Sequence, residues 1–206
     1  MPSSQRRPET RSDRARMPVD LRQRLGAAVL EAFSREDFHN VDMRSIAAAC
    51  GMSFSTIYKY FGDKEHLLFE FISEWLAELR TRLADGMQGI ESPREKLRRF
   101  IWVNLQYFEE NPGIARAMFM SVPLQTWMRD PTFRQADFFR PLIGLVRDAQ
   151  AARLIDPTLQ PHQVIDLFMG TIQHAIVMWQ YRERRYRLVD QFEPMFRILW
   201  GGIKAS

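Results

Sequence analysis

The chain has 206 residues, 29 Lys and Arg against 25 Asp and Glu, 46% apolar residues and one cysteine, with no run approaching eighteen consecutive apolar positions. Those figures exclude a membrane-spanning helix, a disulfide-framed mini-protein and a wholly disordered chain. Ten Gly, eleven Pro and no sustained period-two alternation of Val and Ile point to an all-α fold, expected as a small module joined to a larger one. Cys50 has no partner for an intramolecular disulfide, so a reducing, cytoplasmic setting fits.

The net charge of +4 invites nucleic acid as a partner, but its location decides its meaning. Residues 1–75 hold eleven basic and eleven acidic side chains, so the whole excess lies further along the chain. Any case for DNA must therefore come from motif geometry. Residues 1–18, MPSSQRRPETRSDRARMP, carry no apolar h-region and predict a disordered basic arm rather than a secretory leader. The arginines Arg6, Arg7, Arg11, Arg14 and Arg16 suit a solubilising tail better than a minor-groove arm.

From Asp20, Leu21, Leu25, Ala28, Val29, Ala32 and Phe33 recur at helical spacing and predict a first helix. Asp42 is placed to cap a short second helix carrying Met43, Ile46, Ala47 and Cys50, which Gly51 ends. Ser53 caps a third, FSTIYKYF, and Asp63 a long fourth, whose spine is Leu67, Phe71, Trp75, Leu79 and Leu83 and which reaches Asp85-Gly86. Ser92-Pro93-Arg94-Glu95 combines a capping box with proline at the first helical position, opening a fifth helix that stops at Asn111-Pro112-Gly113.

Short helices are expected at 114–120 and 123–128. A longer one should run from 130 to 154, broken or kinked at Pro141, and two apolar helices should close the chain near 161–184 and 189–200. No repeat and no metal-ligand spacing occurs, and neither a metal nor a cofactor is expected.

Two short helices joined through Cys50-Gly51-Met52 fit a helix-turn-helix, whose second helix enters the major groove with its first residues toward the base edges. If Ile46, Ala47, Met52, Ile57 and Phe61 pack inward, then Arg44, Ser53, Phe54, Ser55, Thr56, Tyr58, Lys59 and Tyr60 face outward. Small hydroxyls at the helix start permit close approach, while tyrosine and lysine reach phosphates.

The stretch DMRSIAAACGMSFSTIYKYFGDKEHLLFEFI resembles the DNA-binding signature of the tetracycline-repressor-like (TetR) family of transcriptional regulators. The resemblance covers the alanine-rich second helix, the glycine turn, the Tyr-x-x-Phe element and the following lysine, about a quarter of the chain with helix one. It implies that Arg44 touches DNA from the second helix and that Phe54, Ser55, Thr56 and Lys59 approach bases. It further implies that Tyr58 and Tyr60 meet backbone or thymine methyls, and that Lys64 holds a phosphate at the start of helix four, where a helix N-terminus already favours anions. Asp42, Phe54 and Ser55 depart from the family's usual Thr, polar residue and Gly. Phe54 fits either a thymine-methyl contact or a surface support for the turn.

The resemblance sets the expected plan: about nine helices, with a three-helix DNA-binding domain at 19–65 and an effector-binding and dimerisation domain at 66–206. It implies a homodimer through the last two helices on a near-palindromic double-stranded operator, no contact with membranes, and a pocket for a hydrophobic small-molecule effector. Bulky side chains of the larger part are the candidate lining: Trp102, Leu105, Phe108, Met118 and Phe119, then Trp127, Phe138, Phe139 and Leu142, then Phe168 and Met178. Thr171 and His174, one helical step apart, and Asn104 and Gln106 are candidate polar anchors, although a lone histidine on an apolar face is more commonly a satisfied core residue. Arg134, Arg140 and Arg147 suit an anionic ligand or plain solvation equally.

No Ser-His-Asp arrangement or phosphate loop appears, so an enzyme is not expected. The main reading is a ligand-responsive repressor. A regulator without effector is the second, and an apolar-ligand carrier or enzyme the third.

Overall fold

The computed structural model describes residues 17–121, 124–130 and 135–205, with side chains throughout except at 124, 125 and 135–138. The arginines of the expected arm, Pro123, Pro131 and Arg134 lie outside the described residues. The described chain is all-α, with ten α-helices and no strand beyond a one-pair bridge between Ile155 and Lys204.

Three helices form the N-terminal head: α1 (Val19–Arg35), α2 (Met43–Cys50) and α3 (Phe54–Phe61). They close over Leu25, Val29, Phe33, Ile46, Ala47, Ile57 and Phe61, all buried. Asp42 accepts the Arg44 N–H at 3.1 Å and so caps α2 as its position predicts. At the other end Gly51 takes φ +71°, and the N–H groups of Gly51 and Met52 donate to the carbonyls of Ala48 and Ala47. This left-handed residue satisfies the last carbonyls and turns the chain into α3.

α4 (Lys64–Met87) is capped by Asp63, which accepts the His66 N–H at 2.8 Å. The helix buries Leu67, Leu68 and Phe71 at one end and Leu79 and Leu83 at the other. The boundary expected at 65/66 falls inside α4, so head and body share a helix rather than a linker.

The body adds α5 (Pro93–Glu110), α6 (Pro112–Phe119), α7 (Leu124–Met128), α8 (Gln135–Ala151), α9 (Pro161–Tyr181) and α10 (Phe192–Ile203), the last preceded by a 3-10 turn at Leu188–Gln191. Ser92 caps α5 through the Glu95 N–H at 3.4 Å. α8 runs on through Pro141, so the break expected there does not occur. α5 lies antiparallel to α4: the Tyr107 hydroxyl donates to the Trp75 carbonyl at 2.9 Å, and Arg99 donates to the Gly86 carbonyl at 3.1 Å. Burial, reinforced by nearby Glu78, pushes the Tyr107 hydroxyl well above the usual phenol range.

Candidate nucleic-acid interface and ligand cavity

The start of α3 is built from hydroxyls. Ser53 Oγ accepts the Thr56 N–H at 3.1 Å and lies 2.9 Å from Ser55 Oγ and 2.7 Å from Thr56 Oγ1, one hydrogen-bonded group around the N-cap. Ile57 and Phe61 point into the head, which leaves Ser53, Phe54, Ser55, Tyr58 and Lys59 on the exposed face. Phe54 is 41% exposed and Tyr58 56%, with their rings 6.0 Å apart.

The guanidinium of Arg44 on α2 stands 5.6 Å from the Phe54 ring. Arg44, Phe54 and Tyr58 thus make a continuous outward strip across both short helices, supported by cation–π attraction. Thr56 and Tyr60 are half-buried at its edges. Eight of the nine candidate DNA-contacting residues therefore fall on or beside one surface.

The ninth, Lys64, is differently placed. Its ammonium donates to the carbonyls of Val41 at 2.8 Å and His39 at 3.3 Å and sits 4.6 Å from the Phe38 ring. It holds the loop between α1 and α2, a task that its spacing alone does not reveal.

The body encloses an apolar cavity of about 260 Å³ between α4, α5, α6, α7, α8 and α9. Phe108, Met118, Phe119, Trp127 and Phe139 line it, as the sequence suggests. The side chain of Phe138 lies outside the described residues. The remaining candidates do not reach the cavity. Leu105, Leu142 and Phe168 are consumed by the packed core, and Trp102 lies under the Arg99 guanidinium at 4.6 Å.

Thr171, His174 and Met178 share a different face of α9, turned away from the cavity; His174 is exposed there, and the Thr171 hydroxyl donates to the Leu167 carbonyl at 2.8 Å. The α9 residues that do line the cavity are Asp166, Met169, Gly170, Ile172 and Gln173. Leu76 and Leu79 of α4 join them, and so does Asn104, buried on α5 and donating to the Phe100 carbonyl at 2.8 Å. Of the two polar anchors proposed on α5, Asn104 is the one in place.

An open groove adjoins the cavity, sharing Met128, Phe139 and Asp166 with it and adding Arg140, Arg147 and His162. The apolar chamber thus adjoins a groove that carries Arg140 and Arg147 together with the Asp166 carboxylate.

The sequence profile of the bacterial regulatory proteins, tetR family, matches residues 26–71, from mid-α1 into α4. The match places residues 26–71, under a quarter of the chain, among the N-terminal modules of that family. Among its relatives, the fatty acid metabolism regulator protein of Bacillus subtilis is 21% identical over 85% of this chain and 92% of its own length. The fatty acid degradation regulator FadR from Bacillus halodurans superposes with a TM-score of 0.78 at 17% identity, over 90% of this chain and 96% of that one. FadR from Bacillus subtilis in complex with stearoyl-CoA gives 0.75 at 19% identity, over 88% and 99%. These likenesses show a shared fold. The TetR-family relatives are transcriptional regulators, which agrees with the absence of any catalytic arrangement expected from the sequence.

The head, which carries the match, is tied to the cavity wall by α6. Its Met118 and Phe119 line the chamber, while Gly113 packs on Leu30 and Ser34 of α1 and Arg116 lies 3.8 Å from Asp37. Just past α6, the Ser121 hydroxyl donates to the Phe33 carbonyl at 2.9 Å. A second tie runs from α4: His66 Nδ1 is 2.7 Å from Asp63, and its Nε2 is 3.6 Å from Asp130, which follows α7. No described helix is long and apolar enough to cross a membrane.

Proposed function

We propose that this regulator is a repressor that binds a near-palindromic operator as a homodimer and is released by a small hydrophobic effector bearing an anionic group. The observation that carries the reading is α6, one end of which forms cavity wall while the other grips the DNA-binding head. An occupant that shifts Met118 and Phe119 must move that grip, and the head with it. Only a difference in ligand affinity between the two head positions can do this, and a coupling of about 1–3 kcal/mol corresponds to about 5–150-fold in DNA affinity.

The dimer reading is supported by an apolar outer face on the last two helices. Leu167 is 46% exposed and Tyr181 74% on α9, Ile198 is 71% exposed on α10, and Gly201 and Gly202 leave open space for close approach. A two-fold pairing there presents two copies of α3, and two recognition helices about 34–36 Å apart read half-sites one turn apart. A single α3, eight residues long, spans few base pairs.

The effector class follows from the shape of the site. At about 30 Å³ for each water-sized group, a chamber of 260 Å³ takes about nine such groups, a medium-length apolar tail. Arg140 and Arg147 at the mouth supply positive charge for its head.

Gel retardation with DNA flanking its own gene tests the reading. Pure protein should retard that DNA at low salt, and Tyr58→Ala or Lys59→Ala should weaken binding about tenfold while leaving the oligomeric state intact. Saturated fatty acids and acyl-thioesters of six to eighteen carbons, with the matching alcohols, should raise the melting temperature most near eight to ten carbons and release the DNA. No retardation by the pure dimer overturns the repressor reading, and equal effects of acids and alcohols overturn the anionic head.

A further inference from the structure

We propose that the arginine-rich turn between α9 and the 3-10 element is a second DNA-contacting surface, facing the phosphates between the two half-sites. The proposal rests on the dimeric regulator reading above. Residues 182–187 hold Arg182, Arg184, Arg185 and Arg187 against Glu183, a local charge of +3 in a chain whose total is +4. Within the body, the turn thus holds a dense cluster of positive charge, equal to that of residues 1–18, where five arginines meet two carboxylates.

Location gives that charge its meaning. The Gln180 side chain donates to the Pro112 carbonyl at 2.6 Å, which places the end of α9 against the start of α6, the helix that packs on α1. The turn therefore occupies the head-side end of the body. Because α9 also carries the outer face proposed for dimerisation, the two copies of the turn flank the two-fold axis on the side where the recognition helices emerge.

The turn is also held rigid. Glu183 and Arg184 both take φ +56°, a left-handed conformation that strains a non-glycine residue. It is fixed by the Arg184 N–H donating to the Trp179 carbonyl at 2.9 Å and by the Trp179 indole donating to the Tyr186 carbonyl at 2.8 Å. Arg187 lies 3.4 Å from Glu109, and Arg185 pairs with Glu183 at 2.6 Å. Among the described residues no carboxylate lies within ion-pair distance of Arg182 or Arg184, both exposed. Each protomer thus presents two uncompensated guanidinium groups, and a dimer four, on a strained and well-braced turn. Guanidinium groups suit phosphate oxygens, and phosphate contacts are independent of base sequence.

The test needs no knowledge of the operator. Affinity for a random-sequence 40-base-pair duplex is measured by fluorescence anisotropy across a salt series for wild type, Arg182→Gln/Arg184→Gln and Arg182→Lys/Arg184→Lys. A fourth protein, Arg153→Gln/Lys204→Gln, removes the same charge near the opposite end of α9. Each phosphate contact contributes about 0.9 to the salt slope, so the glutamine variant should lose up to about 3.6 from it, with the lysine variant and the distal control close to wild type.

An unchanged slope in the glutamine variant, or an equal loss in the distal control, overturns the proposal. If the glutamine variant keeps its DNA slope but loses binding to phosphatidylserine vesicles, the turn serves a membrane surface and the proposal also fails. Failure of the regulator reading is distinguishable, because then wild type itself does not bind the duplex.

Discussion

Gly26 of α1 lies so close to Phe71 of α4 that a Cβ at position 26 would stand 2.9 Å from the Phe71 Cε1 atom. Phe71 is buried, its ring 6.4 Å from that of Phe61 and 6.3 Å from that of Trp75, so moving it disturbs both neighbours. The close approach joins the head to the helix it shares with the body. It is reinforced by Arg22, which pairs with both Glu70 and Glu74.

Gly26→Ala should therefore destabilise the protein even though alanine favours a helix by about 1 kcal/mol. Overpacking costs about 1–3 kcal/mol, leaving a net loss of up to about 2 kcal/mol. Gly113→Ala is the contrast, since a Cβ there meets Leu30 and Ser34 at an ordinary 3.4 Å. Differential scanning calorimetry should show a fall of several degrees for the first variant and none for the second.

Removing the ammonium of Lys64 should damage the head in the absence of any DNA. Lys64→Met keeps the stem over Phe38 but leaves the carbonyls of His39 and Val41 without their donor. Bonds to charged groups contribute about 1.5–3 kcal/mol. Urea unfolding should register a loss of that order, and wild-type stability in this variant would return Lys64 to a purely DNA-facing role.

Asp42 has its carboxyl held below the ordinary value of 3.8, first by the Arg44 N–H that it caps and also by the Ser45 hydroxyl. A depressed value in the folded state means that the cap's contribution is complete above the ordinary value and fades as pH falls through the lowered one. Melting temperature followed from pH 6 to pH 2 should lose part of its acid dependence in Asp42→Asn, which caps without titrating. An identical acid profile in the two proteins would show that the cap carries none of it.

Gly170 separates ligand binding from folding. It lines the cavity, and nothing lies within 4 Å of a Cβ built there. Gly170→Leu should fill the chamber while improving helix propensity by about 1 kcal/mol. The variant is expected to melt no lower than wild type yet to give no thermal shift with medium-chain acyl ligands. A retained shift would move the effector elsewhere.

The head was largely legible from local signals. Asp42, Ser53, Asp63 and Ser92 all cap the helices they precede, because a side-chain oxygen and the N–H two or three residues on are covalently close and need no tertiary partner. The Gly51 turn is equally local. The cavity was only half legible: aromatic mass on α5 to α8 marked it, but on α9 the lining runs along Asp166, Met169, Gly170 and Gln173, not Thr171, His174 and Met178. Three apolar-compatible faces divide that helix among core, chamber and exterior, and periodicity does not say which is which. The stripe with a glycine and a carboxylate at i, i+3, i+4 and i+7 was the available clue. The loop-holding role of Lys64 was not legible, since its partners are carbonyls in a loop more than twenty residues upstream.

The unbroken run of α4 across both parts sets the mechanical gain of the molecule. Leu76, in the chamber wall, and Lys64, beside the recognition helix, are twelve residues apart on one rod, roughly 18 Å at about 1.5 Å per residue. A rotation of about 5° pivoting near Leu76 sweeps the far tip through roughly 1.6 Å. A tilt of a few degrees at the chamber is thus carried to the start of α4 as a displacement of about a bond length.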